Sequence, residues 1–216
     1  MFTRKRQPRR QKRGSKKIRT RKQYIATLKE LYPSCLHQSH ISKPEYQEDN
    51  TTYGEMNYEG MAKLYSEVKK MNKSIQTFID VGSGYGKLNI FMASYDKIKK
   101  SIGIELVQER YEHALGLLKQ MDSQYSHKVE FKNDNILDID INSLIHPQGA
   151  VFVWWSNLCF SQDKVNEMYE KIAAELPKGS IIACSKQMTN IETRPKTMII
   201  PMSWSATSTV YIYSNL

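Results

Sequence analysis

Phe78–Ile79–Asp80–Val81–Gly82–Ser83–Gly84–Tyr85–Gly86 is the stretch that decides how this chain folds. An apolar run carries an acid next to its end and passes straight into a turn with glycine at every second position. Glycine there lets the backbone take positive φ and come close to a ligand. A helix that starts right after the turn aims its first N–H groups at the same spot. A dinucleotide-binding turn would read G-x-G-x-x-G, but Lys87 stands where its third glycine belongs, so that pattern fails.

Outward from this turn, residues 102–104, 129–131, 151–155 and 181–184 are short apolar runs, too continuous for half-exposed strands. Helical spacing fills the gaps at residues 87–95, 107–124 and 162–176, the last stopped by Pro177–Lys178–Gly179. Met61, Leu64, Tyr65 and Val68 place one more helix over residues 58–71, before the first strand. Alternating strands and helices predict an α/β fold, a mostly parallel seven-stranded sheet with helices on both faces. Residues 196–202 and 209–213 are strand-like with no helix between them, so the sheet should end in an antiparallel hairpin. The folded domain is expected over residues 53–216, preceded by a loose lead-in at 24–52 whose only helical hint is residues 24–31.

Composition fits a globular protein, 40% apolar and 25% charged in 216 residues. No stretch approaches the roughly 18 apolar residues of a membrane span, and the charged N-terminal run is unlike a secretory signal. We expect no membrane association and a reducing compartment. Cys35, Cys159 and Cys184 are far apart and read as free thiols, with no metal site. The net charge of +10 is unevenly spread. Twelve basic residues and no acid lie in residues 1–22: Arg4, Lys5, Arg6, Arg9, Arg10, Lys12, Arg13, Lys16, Lys17, Arg19, Arg21 and Lys22. The remainder holds 20 basic against 22 acidic residues. Residues 1–23 are therefore expected to be a disordered arm that neutralises phosphates of nucleic acid, the plainer reading being a nuclear-localisation or solubilising tail.

The D-x-G-x-G-x-G turn is similar to motif I of class I methyltransferases, which have a Rossmann-like fold and use S-adenosylmethionine. Asp80, Gly82, Gly84 and Gly86 then become cofactor-binding candidates. Glu105 closes the second strand 25 residues after Asp80, where an acid accepts from both ribose hydroxyls. Asp134, at the third strand end, stands where such enzymes place an acid near the adenine amino group, with Asn133, Asn135 and Asp138 as neighbours that could take the place. The fourth strand ends in Trp154–Trp155–Ser156–Asn157–Leu158–Cys159–Phe160, so Asn157 and its aromatic neighbours should line the acceptor pocket. No Asn/Asp-Pro-Pro-aromatic run occurs there, which speaks against modification of a nucleobase.

The order Tyr53–Gly54–Glu55, the glycine turn, Gly103–Ile104–Glu105, Asn157–Leu158–Cys159–Phe160, Lys178–Gly179–Ser180, Ser185–Lys186 and Ser203–Trp204 before Tyr211 resembles Dot1-type histone H3 lysine-79 methyltransferases over roughly residues 50–213. The resemblance implies that Tyr53 and Glu55 belong to a loop over the methionine end of the cofactor. It implies that Asn157 sits beside the methyl group and that Tyr211, with Phe160 and Trp155, walls the channel for the target lysine. Asn157 and Tyr211 are thus the catalytic candidates, and nucleosomal histone H3, with DNA held by the arm, is the expected partner. Met56 and Lys87 depart from the threonine and glutamine usual at their places. The segment before Tyr53 is short for the family, as in a reduced, viral or protist version; the nucleus, or a virion or viral factory, is the expected location. A methyltransferase of RNA, DNA or a non-histone protein would share these cofactor motifs, and a non-catalytic nucleic-acid-binding protein would have no need to keep all of them.

Overall fold

Strand residues with no polar alternation need shelter on both faces, and β1 (Ile75–Val81) is buried at six of its seven positions. It pairs in parallel with β2 (Lys100–Glu105) on one side and β4 (Ala150–Trp155) on the other. β3 (Val129–Asn133) follows outside β2, and β5 (Ile181–Cys184) outside β4, both parallel. β7 (Ser208–Ser214) runs antiparallel to β5, and β6 (Lys196–Ile200) closes the edge antiparallel to β7. The order β3-β2-β1-β4-β5-β7-β6 is the expected seven-stranded, mostly parallel sheet with its antiparallel C-terminal pair. The computed structural model describes residues 20–33, 54–189 and 191–214. Tyr53, Cys35 and the basic residues from Arg4 to Arg19 lie outside them.

Side chains alternate across the sheet and feed two apolar layers. Phe78 and Phe152, with ring centres 5.2 Å apart, face α1 (Arg21–Leu31), α2 (Tyr58–Met71), α3 (Lys87–Ala93) and α4 (Gln108–Gln120), and the short α5 (Ser123–Ser126) joins the same layer. Ile79, Val153 and Trp155 face α6 (Ile141–Leu144) and α7 (Gln162–Glu175), whose Val165, Met168 and Ile172 are buried.

Two boundaries differ from the sequence reading for local reasons. The helix expected over residues 107–124 is broken, because Asp122 takes up an extended conformation and its carboxylate accepts from the Gln124 N–H at 2.8 Å, capping α5. At the other end, α1 begins at Arg21, inside the expected arm, because Thr20 and Gln23 form a reciprocal capping box with N–H···O distances of 2.9 and 3.3 Å. Nor is this part of the lead-in loose. Tyr24 and Leu28 are fully buried, and Tyr24 meets Tyr125 edge to face at 4.9 Å. Arg21 turns inward as well, its Nε donating to Ser94 Oγ at 3.1 Å and its guanidinium 4.0 Å from the Tyr95 ring centre, whereas Lys22 is exposed.

From β1 the chain proceeds to β2 and β3 on one side and returns to β4 on the other. Helices must therefore diverge at the carboxyl ends of β1 and β4, leaving a crevice there.

Candidate functional site

The crevice opens at the glycine turn. Gly82, Gly84 and Gly86 all have positive φ, at 73°, 54° and 76°. They need it for different reasons. A Cβ on Gly86 would strike the Phe131 ring and stand 3.0 Å from Ala114 Cβ, so this glycine lets α3 start close against β3 and α4. A Cβ on Gly82 would meet nothing within 4 Å, so the turn there fronts open space. Beside it Ser83 Oγ is buried with no hydrogen-bond partner.

Two adjoining hollows share Gly54, Gly82 and Ser156 as walls. The first contains Glu105, Val107, Arg110, Asp134, Asn135 and Ile136 on one side and Trp155 and Phe160 on the other. Glu105 is held firmly: its carboxylate accepts from the Gly84 N–H at 2.7 Å and from the Val107 N–H at 2.9 Å, with the Arg110 guanidinium 3.9 Å away. Burial raises its pKa, while these two N–H groups and Arg110 pull the other way. Asp134 is exposed at the rim, its N–H donating to the Glu105 carbonyl at 3.2 Å, and its carboxylate accepts from the Asn135 N–H at 2.9 Å. Trp155 is buried against the edge of Phe160, ring centres 5.9 Å apart.

The second hollow is charged. Glu55, Asp80 and Lys87 line it together with Ser83 and Trp154. Asp80 is buried, and desolvation, then Glu105 and Glu55, push its carboxyl well above the usual range. Glu55 and Lys87 form an ion pair at 2.5 Å, both more than nine-tenths buried. Tyr32, at the end of α1, donates its hydroxyl to Glu55 as well.

The Gly54–Glu55 and Ser203–Trp204 segments, 148 residues apart, are clasped together. Glu55 N–H donates to Ser203 Oγ at 2.9 Å, Ser203 N–H donates to the Glu55 carbonyl at 2.7 Å, and Met56 bridges Met202. A Cβ on Gly54 would stand 2.5 Å from the Trp204 ring, so the glycine is what allows the indole to lie flat on the loop.

Of the residues singled out from sequence, Glu55, Asp80, Gly82, Glu105, Asp134, Asn135, Trp155 and Phe160 come together in the crevice. Asn157 lines neither hollow. It is fully buried, and its carboxamide oxygen accepts from the Lys186 N–H at 2.7 Å and the Ser185 hydroxyl at 3.2 Å, tying the end of β4 to the end of β5. Tyr211 is half-buried in β7, in register with Cys184 and Thr197, outside both hollows. Among the described residues Cys184 and Cys159 form no disulfide, and burial pushes the Cys184 thiol up to about 12. Sequence reasoning missed Tyr32, Ser83, Arg110 and the Glu55–Lys87 pair. Only the unusual Lys87 after the glycines gave any signal. Among the described residues no cluster could hold a metal ion and no helix is long and apolar enough to cross a membrane.

Comparison with known proteins agrees with this geometry. The family model described as "Histone methylation protein DOT1" matches residues 32–205. The Caenorhabditis elegans "Histone-lysine N-methyltransferase, H3 lysine-79 specific" is 29% identical over 143 residues, which cover 63% of this chain and 15% of that protein. The chain thus corresponds to a small part of that relative. Among solved structures, a methyltransferase from Geobacter sulfurreducens shares 15% identity over 74% of this chain and 80% of its own, with a TM-score of 0.51. The methyltransferase domain of bacterial CtHen1 shares 11% over 72% and 97%, with a TM-score of 0.53. The last two likenesses establish the class I methyltransferase fold.

Proposed function

The chain belongs to the DOT1 family of histone methylation proteins, and from this we propose that it is an S-adenosylmethionine-dependent lysine methyltransferase whose substrate is histone H3 in nucleosomes. The observation that carries the reading is the pair of adjoining hollows at the switch point, one built around a braced acid and one around charges of both signs. The cofactor fits both. An adenosine offers a ribose diol to Glu105, and an amino-acid tail offers an ammonium and a carboxylate to a hollow that holds Asp80, Glu55 and Lys87. Ser83 Oγ, otherwise unsatisfied, gains a polar neighbour.

When bound, the cofactor supplies a sulfonium methyl for in-line transfer to a neutral amine. The chain's own residues prepare that event. Glu105 grips the ribose, and Asp80 is the acceptor for the ammonium. Trp155 and Phe160 exclude water from one flank and make the aromatic wall along which a lysine enters. An amine with a pKa of about 10.4 in water loses its proton more readily in such a desolvated channel. Among the described residues no histidine lines the crevice, so alignment rather than a dedicated imidazole base carries the rate. Asn157 acts by bracing the β4 and β5 ends that shape the channel, and Tyr211, which lines neither hollow, packs against the apolar layer that holds Trp155. The basic residues from Arg4 to Arg19, with exposed Lys22, hold the enzyme on DNA. Localisation is then nuclear or wherever nucleosomes are assembled.

The test is incubation with methyl-labelled cofactor and separate samples of nucleosomes, free histones, RNA and DNA. Label on H3 in nucleosomes is the expected outcome, and its position is read by mass spectrometry. Label on RNA or DNA, with none on protein, rejects the lysine reading and leaves a nucleic-acid methyltransferase.

A further inference from the structure

Lys87 stands at the first position of α3, immediately after Gly86, and is 3% exposed, yet it lines the second hollow. A lysine is rarely buried unless paired. Glu55 supplies the pairing at 2.5 Å, and the ammonium also lies 5.3 Å from the Tyr32 ring centre and 5.5 Å from that of Tyr58. Those two rings are themselves fastened together, since the Tyr58 hydroxyl donates to the Tyr32 carbonyl at 3.0 Å. The Tyr32 hydroxyl donates to the other Glu55 carboxylate oxygen. A carboxylate and two aromatic faces thus hold one cation at the wall of a hollow.

The charges in the crevice do not balance. Glu55, Asp80, Glu105 and Asp134 face Lys87, Arg110 and Lys164. With all seven ionised, Asp80 included once an ammonium draws its charged form, the excess is one negative charge, which suits a ligand with one net positive charge. Within such a ligand the negative end needs a cation, and among the described residues Lys87 is the cation that lines the second hollow. Glu105 already fixes the diol end in the first hollow, so the amino-acid end must lie here.

Resting on the methyltransferase reading above, we propose that Lys87 is a specificity-determining cation that demands a carboxylate on the ligand's amino-acid end, and that Tyr32 of the N-terminal segment is the positioning residue that keeps the Glu55–Lys87 pair in place. Adenosyl ligands that lack the carboxylate are rejected because they leave Lys87 facing a neutral group in a dry pocket. Tyr32 makes α1 a component of the cofactor site rather than a cover over it.

Calorimetry on the full chain with four probes separates the possibilities: S-adenosylmethionine, S-adenosylhomocysteine, decarboxylated S-adenosylmethionine and 5′-methylthioadenosine. The native protein should bind the decarboxylated sulfonium on the order of tenfold or more weakly than the intact one, as expected for loss of a charge-assisted hydrogen bond. Lys87→Met, which keeps the length and removes every donor, should collapse that ratio toward one while leaving 5′-methylthioadenosine affinity unchanged. Tyr32→Phe, which keeps the ring and removes the hydroxyl, should shrink the ratio several-fold with the same invariance. The double variant Glu55→Gln/Lys87→Met removes both buried charges, so it should fold and also fail to discriminate. A ratio that survives Lys87→Met, or parallel losses for all four probes, overturns the proposal while the methyltransferase reading stands. Failure of the native protein to bind any of the four overturns both.

Discussion

On the proposed reading, Asp80 is the residue whose titration should report on ligand binding. Burial and the neighbouring Glu105 and Glu55 raise its pKa in the free protein, so the folded state favours the protonated form. Its contribution to stability is therefore present below the unfolded carboxylate value of about 3.9 and is lost as pH climbs through the raised folded value. A bound ammonium reverses the preference and draws the ionised form. Cofactor affinity should thus rise with pH across that window, by at most about tenfold per pH unit, with uptake of ligand releasing protons. Calorimetry in buffers of different ionisation enthalpy measures this, and Asp80→Asn should flatten the slope; a slope that persists in the variant assigns the titration to another group. Asp80 could be singled out in the sequence because it stands at the end of an apolar strand beside a glycine turn, and Glu105 only because it closes the next strand 25 residues later. Lys87 was legible only as an oddity. Its meaning depends on Glu55 and Tyr32, 32 and 55 residues earlier, and on a burial that no local pattern announces. Asn157 was read as facing the acceptor, whereas its carboxamide is spent on Ser185 and Lys186, a bond set by how two strand ends meet.

Among the elements, the clasp between the Gly54–Glu55 loop and the Ser203–Trp204 turn governs the second hollow. Both pieces were picked out from sequence, but as separate parts of a family pattern. That they are one unit follows from β6 and β7 folding back along the sheet edge and bringing residue 203 onto residue 55. Gly54→Ala would place a methyl group 2.5 Å from the Trp204 ring. We expect overpacking to cost roughly 1–3 kcal/mol and to weaken S-adenosylmethionine binding by displacing Glu55. Thermal unfolding and calorimetry check the two effects. If Gly54→Ala binds normally, the clasp does not control the pocket. The broken helix at Met121–Asp122 has the opposite history: the apolar spacing continued across it, and only the capping choice of Asp122 ended α4.

For the molecule as a whole, segregation of charge was the clearest message of the composition, because twelve basic residues without one acid need no structure to be read. The boundary of the arm was less legible, since the Thr20–Gln23 box spans only four residues. Removal of residues 1–19 takes away ten of the twelve and leaves that box intact. The truncated chain should keep its unfolding temperature and its cofactor affinity. Its binding to DNA or nucleosomes should weaken and lose several units of the log-affinity against log-salt slope, each lost phosphate contact accounting for about 0.9. Unchanged nucleosome binding rejects the anchoring role. Arg21, wedged between Ser94 and Tyr95, also fixes the point from which the arm departs. However residues 1–19 are arranged, nineteen residues extend no farther than about 65 Å from that peg, nearly two turns of duplex at about 34 Å each. On the proposed reading, DNA held by these nineteen residues would stay within that radius of the crevice, so a sequence-blind grip would also limit which lysines come within range.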